Sequence, residues 1–215
     1  MKVMAFNGSP RKHWNTAAML EKALEGSASQ GAETELVHLY ELDFKGCISC
    51  FACKTINGQN YGSCALKDDL SPILKKIEET DAIILGSPMY FGSVSGEMRS
   101  FMERLQFPYL EYTEPPNSLF PRKINTGIIY TMNCPEKGLK DRGYDQYFVQ
   151  NEGVLKMIFG RSESIYSCET LQFEDYAKVV SSRFDPEKRL ERHRDVFPKD
   201  CQKAFDMGVR FAREV

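Results

Sequence analysis

With 215 residues, 42% of them hydrophobic, the chain is long enough to bury a core and too apolar to be disordered. Its 28 basic and 30 acidic residues give a net charge of −2, which excludes the strongly basic surface of a nucleic-acid-binding protein. No apolar stretch reaches the ~18 residues needed to span a membrane, and residues 1–6 are too short for a signal-peptide core. We therefore expect a cytoplasmic protein with no nucleic-acid or membrane partner.

Short apolar segments alternate with helical segments along most of the chain. Strands are predicted at residues 2–6, 33–39, 81–86, 126–131 and 163–171. Helices are predicted at residues 16–25, 68–79, 96–106 and 144–159 and from Pro198 onward. Asn15 or Thr16 is expected to cap the first of these helices. Four prolines predict a long loop at residues 108–122. This order is typical of an α/β fold with a doubly wound sheet of five parallel strands and helices on both faces.

The composition changes after Phe173, where charged residues become frequent. We expect a domain over residues 1–171, which includes a cysteine-rich insert at residues 47–64. Residues 172–215 are expected to form a charged extension, whose final helix packs on the same domain.

The loop after the first strand, residues 7–16, combines a turn glycine with hydroxyl, amide and basic side chains. Gly8 allows a tight turn, Arg11 adds positive charge, and the following helix directs its N-terminus at the loop. These features favour an anion site for a single phosphate. The loop lacks the glycine motifs that bind triphosphates and dinucleotides. The alternative is an ordinary capped helix after a turn.

The loop after the third strand, residues 87–95, concentrates aromatic side chains between glycines. Tyr90 and Phe91, next to Met89, would form an apolar wall for a flat ring, and amides near Gly92 would bond its polar edge. The alternative is that these aromatics pack in the core. In a doubly wound sheet, ligands bind at the carboxyl ends of the strands, where both loops lie. Together the two loops favour one binding site.

Both loops carry motifs of a known family. Residues 8–16 contain G-S-P-R-x-x-x-N-T, and residues 86–104 contain G-S-P-x-Y-x-G-x-x-S-G-x-M-[RK]-x-F-x-[ED]-R. Over residues 1–170 the chain resembles the flavodoxin-like NAD(P)H-dependent FMN reductases, and its cysteines resemble those of the iron–sulfur flavoprotein branch. The resemblance implies a flavodoxin-like fold with bound FMN. One departure is Trp14, where relatives often carry glycine before Asn-Thr.

The resemblance also implies which residues bind the cofactor. The residues that would hold the FMN phosphate are Ser9, Arg11, Asn15 and Thr16, and Ala17 is included with them as cofactor-binding. The residues that would contact the isoalloxazine ring are Pro88, Met89, Tyr90, Phe91 and Gly92. The loop after the fourth strand would approach the same flavin with Thr131, Met132 and Asn133.

Four of the seven cysteines form the pattern C-x2-C-x2-C-x10-C at Cys47, Cys50, Cys53 and Cys64. Such spacing resembles a ferredoxin run, so one interpretation is a [4Fe–4S] cluster that relays electrons to or from the flavin. The others are a structural zinc site, or free thiols or disulfides in a loop that orders a subunit interface. The insert 54–63 is longer than in the relatives, but its glycines let the chain turn back. The cysteines expected to pack in the core are Cys134, Cys168 and Cys201.

The predicted function is an FMN-dependent oxidoreductase that takes hydride from NADPH or NADH and reduces a quinone, a flavin or another small acceptor. FMN supplies the redox chemistry, so no residue is expected to act as a catalytic acid or base. The alternatives are an electron carrier whose partner is a redox protein, and a redox sensor with a vestigial flavin site. The resemblance also implies a homodimer or homotetramer, with the aromatic loop 108–122 as a candidate contact or lid.

Overall fold

The computed structural model describes residues 1–213, so that Glu214 and Val215, at the end of the predicted extension, lie outside the described residues. The strands in that range are β1 (Lys2–Asn7), β2 (Glu33–His38), β3 (Ala82–Tyr90), β4 (Ser93–Val94), β5 (Leu110–Glu111), β6 (Asn117–Ser118), β7 (Ile124–Thr131) and β8 (Gly160–Ser167). The helices are α1 (Asn15–Ala28), α2 (Leu70–Ile77), α3 (Gly96–Gln106), α4 (Tyr144–Phe159), α5 (Pro186–Asp195) and α6 (Phe197–Arg213). No helix within residues 1–213 is both long and apolar enough to cross a bilayer.

Five strands form one parallel sheet in the order β2-β1-β3-β7-β8. The chain runs from β1 outward to β2, then crosses back to add β3 on the other side of β1. The winding therefore reverses between β1 and β3, as it does in flavodoxin-like folds. The predicted doubly wound sheet of five parallel strands is confirmed.

Side chains of the central strands alternate between two cores, one on each face of the sheet. In β1, Met4 and Phe6 pack on the side of α2, α3 and α4, whereas Val3 and Ala5 pack on the side of α1 and α6. A strand buried on both faces needs apolar residues at every position, which explains its unbroken apolar sequence.

Helices α1 and α6 approach each other closely enough for their backbones to touch. A Cβ atom at Gly208 would lie 1.8 Å from the carbonyl oxygen of Ala23, and Ser27 donates a hydrogen bond of 3.0 Å to the Gly208 carbonyl. Only glycine leaves room for this contact. The final helix, expected from Pro198 onward, begins at Phe197. It packs against α1 and directly against the sheet, where Met207 and Phe211 lie next to Gly127 of β7.

Several predicted boundaries are wrong. The fifth strand was expected at residues 163–171, but β8 pairs in parallel with β7 from Gly160 to Ser167 and ends with its partner. The third strand continues to Tyr90 and folds back through β4. The second helix begins at Leu70, not at residue 68.

The long loop expected at residues 108–122 contains a small hairpin of β5 and β6. Two of its aromatic side chains, Tyr109 and Phe120, are buried against Phe159, with the Tyr109 and Phe120 ring centroids 4.9 Å apart. Tyr112 remains largely exposed. Two of the three aromatic side chains in this segment therefore belong to the core, while residues 112–117 are exposed.

Two helical glycines give a matched test of the α1–α6 contact. We expect Gly208→Ala to lower the free energy of unfolding by about 1–3 kcal/mol, because the new methyl group forces the two backbones apart. Gly153→Ala in α4 meets no atom within 4 Å and should raise the free energy by about 0.5–1 kcal/mol. Urea unfolding of both variants measures the difference, and equal effects would contradict the packing described.

Candidate functional site

The loop after β1 is bonded directly to β3 and to the segment that follows β3. The Gly8 amide donates a 2.8 Å hydrogen bond to the Gly86 carbonyl, and the Ser95 hydroxyl donates a 2.6 Å bond to the Gly8 carbonyl. A Cβ atom at Gly8 would lie 2.7 Å from the Cβ atom of Met98. A side chain at Gly8 would therefore push the two loops apart. The predicted convergence of the two loops is present.

A crevice opens at the carboxyl ends of four strands. Ten of the predicted cofactor-binding residues line it, and they are Ser9, Arg11, Asn15, Thr16, Pro88, Met89, Tyr90, Thr131, Met132 and Asn133.

The N-terminus of α1 opens into this crevice without a capping side chain. Its N-cap residue is Trp14, which has an extended backbone and makes no side-chain bond to the helix. The amides of the first helical turn have no partner within the helix, so they are available to an anion. Arg11 is the charged residue among the fourteen described residues that line the crevice. This end of the crevice therefore fits a phosphate group.

Asn15 and Thr16 do not cap the helix, contrary to prediction, because their side chains bond to other loops. The Asn15 amide donates a 2.7 Å hydrogen bond to the Leu171 carbonyl. The Thr16 hydroxyl lies 2.7 Å from the hydroxyl of Thr131. These bonds connect the start of α1 to the loops after β8 and β7, so the crevice is held from several sides.

Four lining residues were absent from the predicted site, namely Trp14, Thr170, Leu171 and Gln172. The indole nitrogen of Trp14 donates a 2.9 Å bond to the Leu171 carbonyl, and Arg11 donates a 2.6 Å bond to the Gln172 carbonyl. The rule that ligands bind beyond the strand ends applies to β8 as well. The predicted fifth strand ran to residue 171 and so concealed this loop.

Three predicted residues are not on the crevice wall. Phe91 and Gly92 form the tight turn between β3 and β4, with φ values of 49° and 93°, and the Phe91 side chain is fully exposed. Ala17 is completely buried behind the helix start.

The β3 side of the crevice is formed by Pro88, Met89 and Tyr90. Burial raises the pKa of the Tyr90 phenol, and the nearby Tyr40 adds to this effect. The phenol therefore keeps its proton at neutral pH and remains a hydrogen-bond donor. This wall offers an apolar surface with one polar group, as a flat heteroaromatic ring requires.

The four clustered cysteines line one small pocket of about 280 Å³, together with apolar side chains. The insert 54–63 turns back as expected, because the Gly62 amide donates a 3.0 Å bond to the Cys53 carbonyl. All four thiols are free, and burial raises the pKa of Cys53. Within residues 1–213, no three histidine, cysteine or acidic side chains converge on a point where a single metal ion could bind.

A buried arginine holds one of these cysteines. Arg104 is 1% exposed, and its Nε atom lies 2.9 Å from Sγ of Cys64. Two further bonds, of 2.7 and 3.1 Å, join the guanidinium to both carboxylate oxygens of Asp68. The hydrogen bond from Arg104 lowers the pKa of Asp68, which stays ionised. This pair fixes the cysteine segment against α3.

The Arg104–Asp68 pair can be tested against an exposed arginine on the same helix. We expect Arg104→Met to cost about 3–5 kcal/mol of stability, because it leaves the Asp68 carboxylate unpaired beside the core. Arg99→Met breaks an exposed contact of 3.4 Å to Glu103 and should cost less than about 1 kcal/mol. Chemical denaturation of both variants measures these costs. A loss below about 1 kcal/mol for Arg104→Met would contradict the role assigned to the pair.

The family model of the NADPH-dependent FMN reductases matches residues 1–127. The chain is 43% identical over 104 residues to an iron-sulfur flavoprotein of Methanocaldococcus jannaschii, which is 48% of this chain and 51% of that protein. It is 35% identical over 128 residues to an iron-sulfur flavoprotein of Archaeoglobus fulgidus, which is 60% of each protein. The chain thus spans about half to three-fifths of the length of these curated relatives.

Solved structures share the fold along the full chain. An NAD(P)H:quinone oxidoreductase from Methanothermobacter marburgensis has a TM-score of 0.70 at 14% identity, and the match covers 97% of this chain and 98% of that one. An FMN-dependent NADH-azoreductase from Bacillus anthracis, in complex with FMN, has a TM-score of 0.65 at 12% identity. This match covers 99% of this chain and 100% of that one. Because the family model covers more than half of the sequence, the chain belongs to the NADPH-dependent FMN reductase family.

Proposed function

We propose that the protein is an FMN-dependent oxidoreductase that takes hydride from NADPH or NADH and reduces a small acceptor such as a quinone, a flavin or an azo compound. The observation that carries the proposal is the crevice formed where the loop at Gly8 bonds to β3 at Gly86. Membership of the family and the printed names of the quinone oxidoreductase and the azoreductase support it.

The residues of the crevice divide into two ends. Ser9, Arg11 and the first turn of α1 would bind the FMN phosphate, because they offer a hydroxyl, a cation and free amides. Met89, Tyr90 and Met132 would flank the ring, while Thr131 and Asn133 would bond its polar edge. Bound FMN would supply the hydride and electron chemistry. The protein's own contribution is to bind, orient and keep water from the ring.

Two neighbouring basic residues, Arg11 and Lys12, allow a test of the proposed phosphate-binding end of the crevice. Arg11 lines the crevice, whereas Lys12 is paired with Glu41 outside it. Loss of a charge-assisted bond costs about 1.5–3 kcal/mol, so Arg11→Ala should weaken FMN binding roughly 10- to 100-fold and Lys12→Ala should leave it nearly unchanged. Riboflavin, which lacks the phosphate, should bind both variants alike. Flavin fluorescence titration measures all four affinities, and an equal loss for riboflavin would contradict the assignment.

Hydride transfer from a nicotinamide nucleotide to the flavin is the step that distinguishes a reductase from an electron carrier. NADPH or NADH, mixed rapidly with the FMN-loaded protein, should bleach the flavin absorption if the protein is a reductase. Bleaching by a reductase partner but by neither nucleotide would favour the electron carrier. A protein with no affinity for FMN would favour the redox sensor.

We also propose that Cys47, Cys50, Cys53 and Cys64 hold an iron–sulfur cluster. These four thiols surround one pocket, and the curated relatives are named iron-sulfur flavoproteins. Four thiols with ferredoxin-like spacing suit an iron–sulfur cluster better than one zinc ion, for which no convergent ligand set is present in residues 1–213. A bound cluster would supply single-electron transfer. Arg104 would orient the Cys64 ligand through its hydrogen bond.

Iron analysis of anaerobically purified protein tests the cluster. We expect roughly four irons per chain and a broad brown absorption beside the flavin bands. Cys50→Ser should lose most of this iron, because its thiol lines the pocket, while Cys201→Ser should keep it. FMN content should stay the same in both variants. Equal iron in the two variants would contradict the ligand assignment.

We propose a homodimer or homotetramer located in the cytoplasm. The fully exposed Phe91, at the rim of the crevice, is an aromatic side chain that a second subunit would cover.

A further inference from the structure

A second, larger cavity adjoins the crevice. The two share Met89, Met132 and Asn133, so a ligand in the second cavity would reach the surface assigned to the flavin ring. The rest of its wall comes from the segment after β7, the loop after β8 and the charged segment that leads into α5. We call this space the basic cavity, because of the charges on its wall.

The basic cavity carries four cations and one anion. The buried Arg189 lies 3.1 Å from the Glu169 carboxylate, which neutralises this pair. The three other cations are Lys137, Arg142 and Arg183. In the part of the chain that the structure describes, none of their side chains has an ion-pair partner. Three positive charges are thus left unbalanced on a protein whose net charge is −2.

Aromatic rings lie between these charges. Tyr144 and Phe184 line the basic cavity, and the Arg189 guanidinium lies 5.2 Å from the centre of the Phe184 ring. Arginine binds phosphate, sulfonate and carboxylate groups through paired donors, and aromatic faces bind flat apolar groups. The lining therefore matches a molecule that is both aromatic and anionic.

The charged C-terminal extension supplies part of the wall of the basic cavity. The sequence patterns predicted no binding role for this extension. Asp185 caps α5 by accepting bonds of 3.1 and 3.3 Å from the Glu187 and Lys188 amides. Arg189, one turn further on, donates a bond of 3.4 Å to the Asn133 carbonyl. The extension is thereby anchored over the strand ends, with Arg183 at the cavity wall.

We propose that the basic cavity binds the anionic part of the substrate that exchanges electrons with the flavin, with Arg142 and Arg183 contacting its phosphate, sulfonate or carboxylate groups. The reactive ring of that substrate would lie against Met89 and Met132. The proposal rests on the proposed function, since it names the substrate class of the same site. Two sources share this chemistry, namely a nicotinamide dinucleotide donor and an anionic aromatic acceptor.

Calorimetric titration of the FMN-loaded protein tests the proposal. The probes are NADP⁺, anthraquinone-2,6-disulfonate and, as an uncharged comparison, menadione. The variants are Arg142→Ala, Arg183→Ala and their combination. The matched controls are Lys140→Ala and Lys178→Ala, which remove exposed charges from the same two segments but do not line the basic cavity.

We expect each arginine variant to weaken binding of an anionic probe roughly tenfold, with menadione unchanged and the lysine variants like the natural protein. Added salt should weaken that binding in the natural protein and have little effect in the double variant. An effect on NADP⁺ alone assigns the cavity to the donor, an effect on the disulfonate alone assigns it to the acceptor, and an effect on both assigns it to the two in turn.

The proposal is overturned if the variant with both Arg142→Ala and Arg183→Ala binds both anions as tightly as the variant with both Lys140→Ala and Lys178→Ala. The same conclusion follows if the arginine substitutions weaken FMN binding and leave anion binding unchanged. It is also overturned if the natural protein binds neither anion. The proposed function fails on a different result, namely a bound flavin that neither NADPH nor NADH reduces. Because binding is measured without turnover, the two failures are distinguishable.

Discussion

The hydrogen bond between Gly8 and Gly86 is the contact on which the rest of the site depends. Gly8 follows β1 and Gly86 lies within the adjacent strand β3, at the point where the winding of the sheet reverses. Their backbones touch because Gly8 has no side chain to meet Met98. With these loops joined, the start of α1 and the wall at Met89 face one space. A larger residue at Gly8 would open a gap between loops that must act together.

Helix α3 links this crevice to the cysteine pocket. Near its start, Ser95 caps the helix and bonds to the Gly8 carbonyl. Near its end, Arg104 bonds to Cys64 and Asp68. Nine residues separate the two anchors, which is about 14 Å along a helix. One rigid element therefore sets the spacing between the proposed flavin and cluster sites.

The sequence predicts the parts of the fold that local patterns determine. The sequence itself shows the apolar runs of β3 and β7 and the helical spacing of apolar residues in α3 and α4. The structure contains all four of these elements. The end of β8 is decided by its pairing with β7, since no turn residue follows Ser167. Phe91 has a left-handed backbone conformation. An Asn-Gly sequence would predict such a turn, but a Phe-Gly sequence does not. Local patterns cannot predict either feature.

The same distinction applies to the site. Motifs placed Ser9, Arg11 and Met89 in the crevice, because each lies at the carboxyl end of a strand, at the same edge of the sheet. Leu171 was missed because it joins the site through its backbone carbonyl, which carries no residue signature. Gln172 joins through its carbonyl and through its side-chain oxygen, which accepts a 2.7 Å bond from Asn133. The partners of Arg104 lie 36 and 40 residues away in sequence, so that only the fold brings them together.

A crystal structure of the protein grown with FMN tests the central claim most directly. The account predicts a phosphate at the start of α1, beside Ser9 and Arg11, and a ring held against Met89 and Met132 with the Gly8–Gly86 bond intact. Electron density that showed the crevice empty, or filled by the protein's own Trp14 or Leu171 side chains, would contradict it.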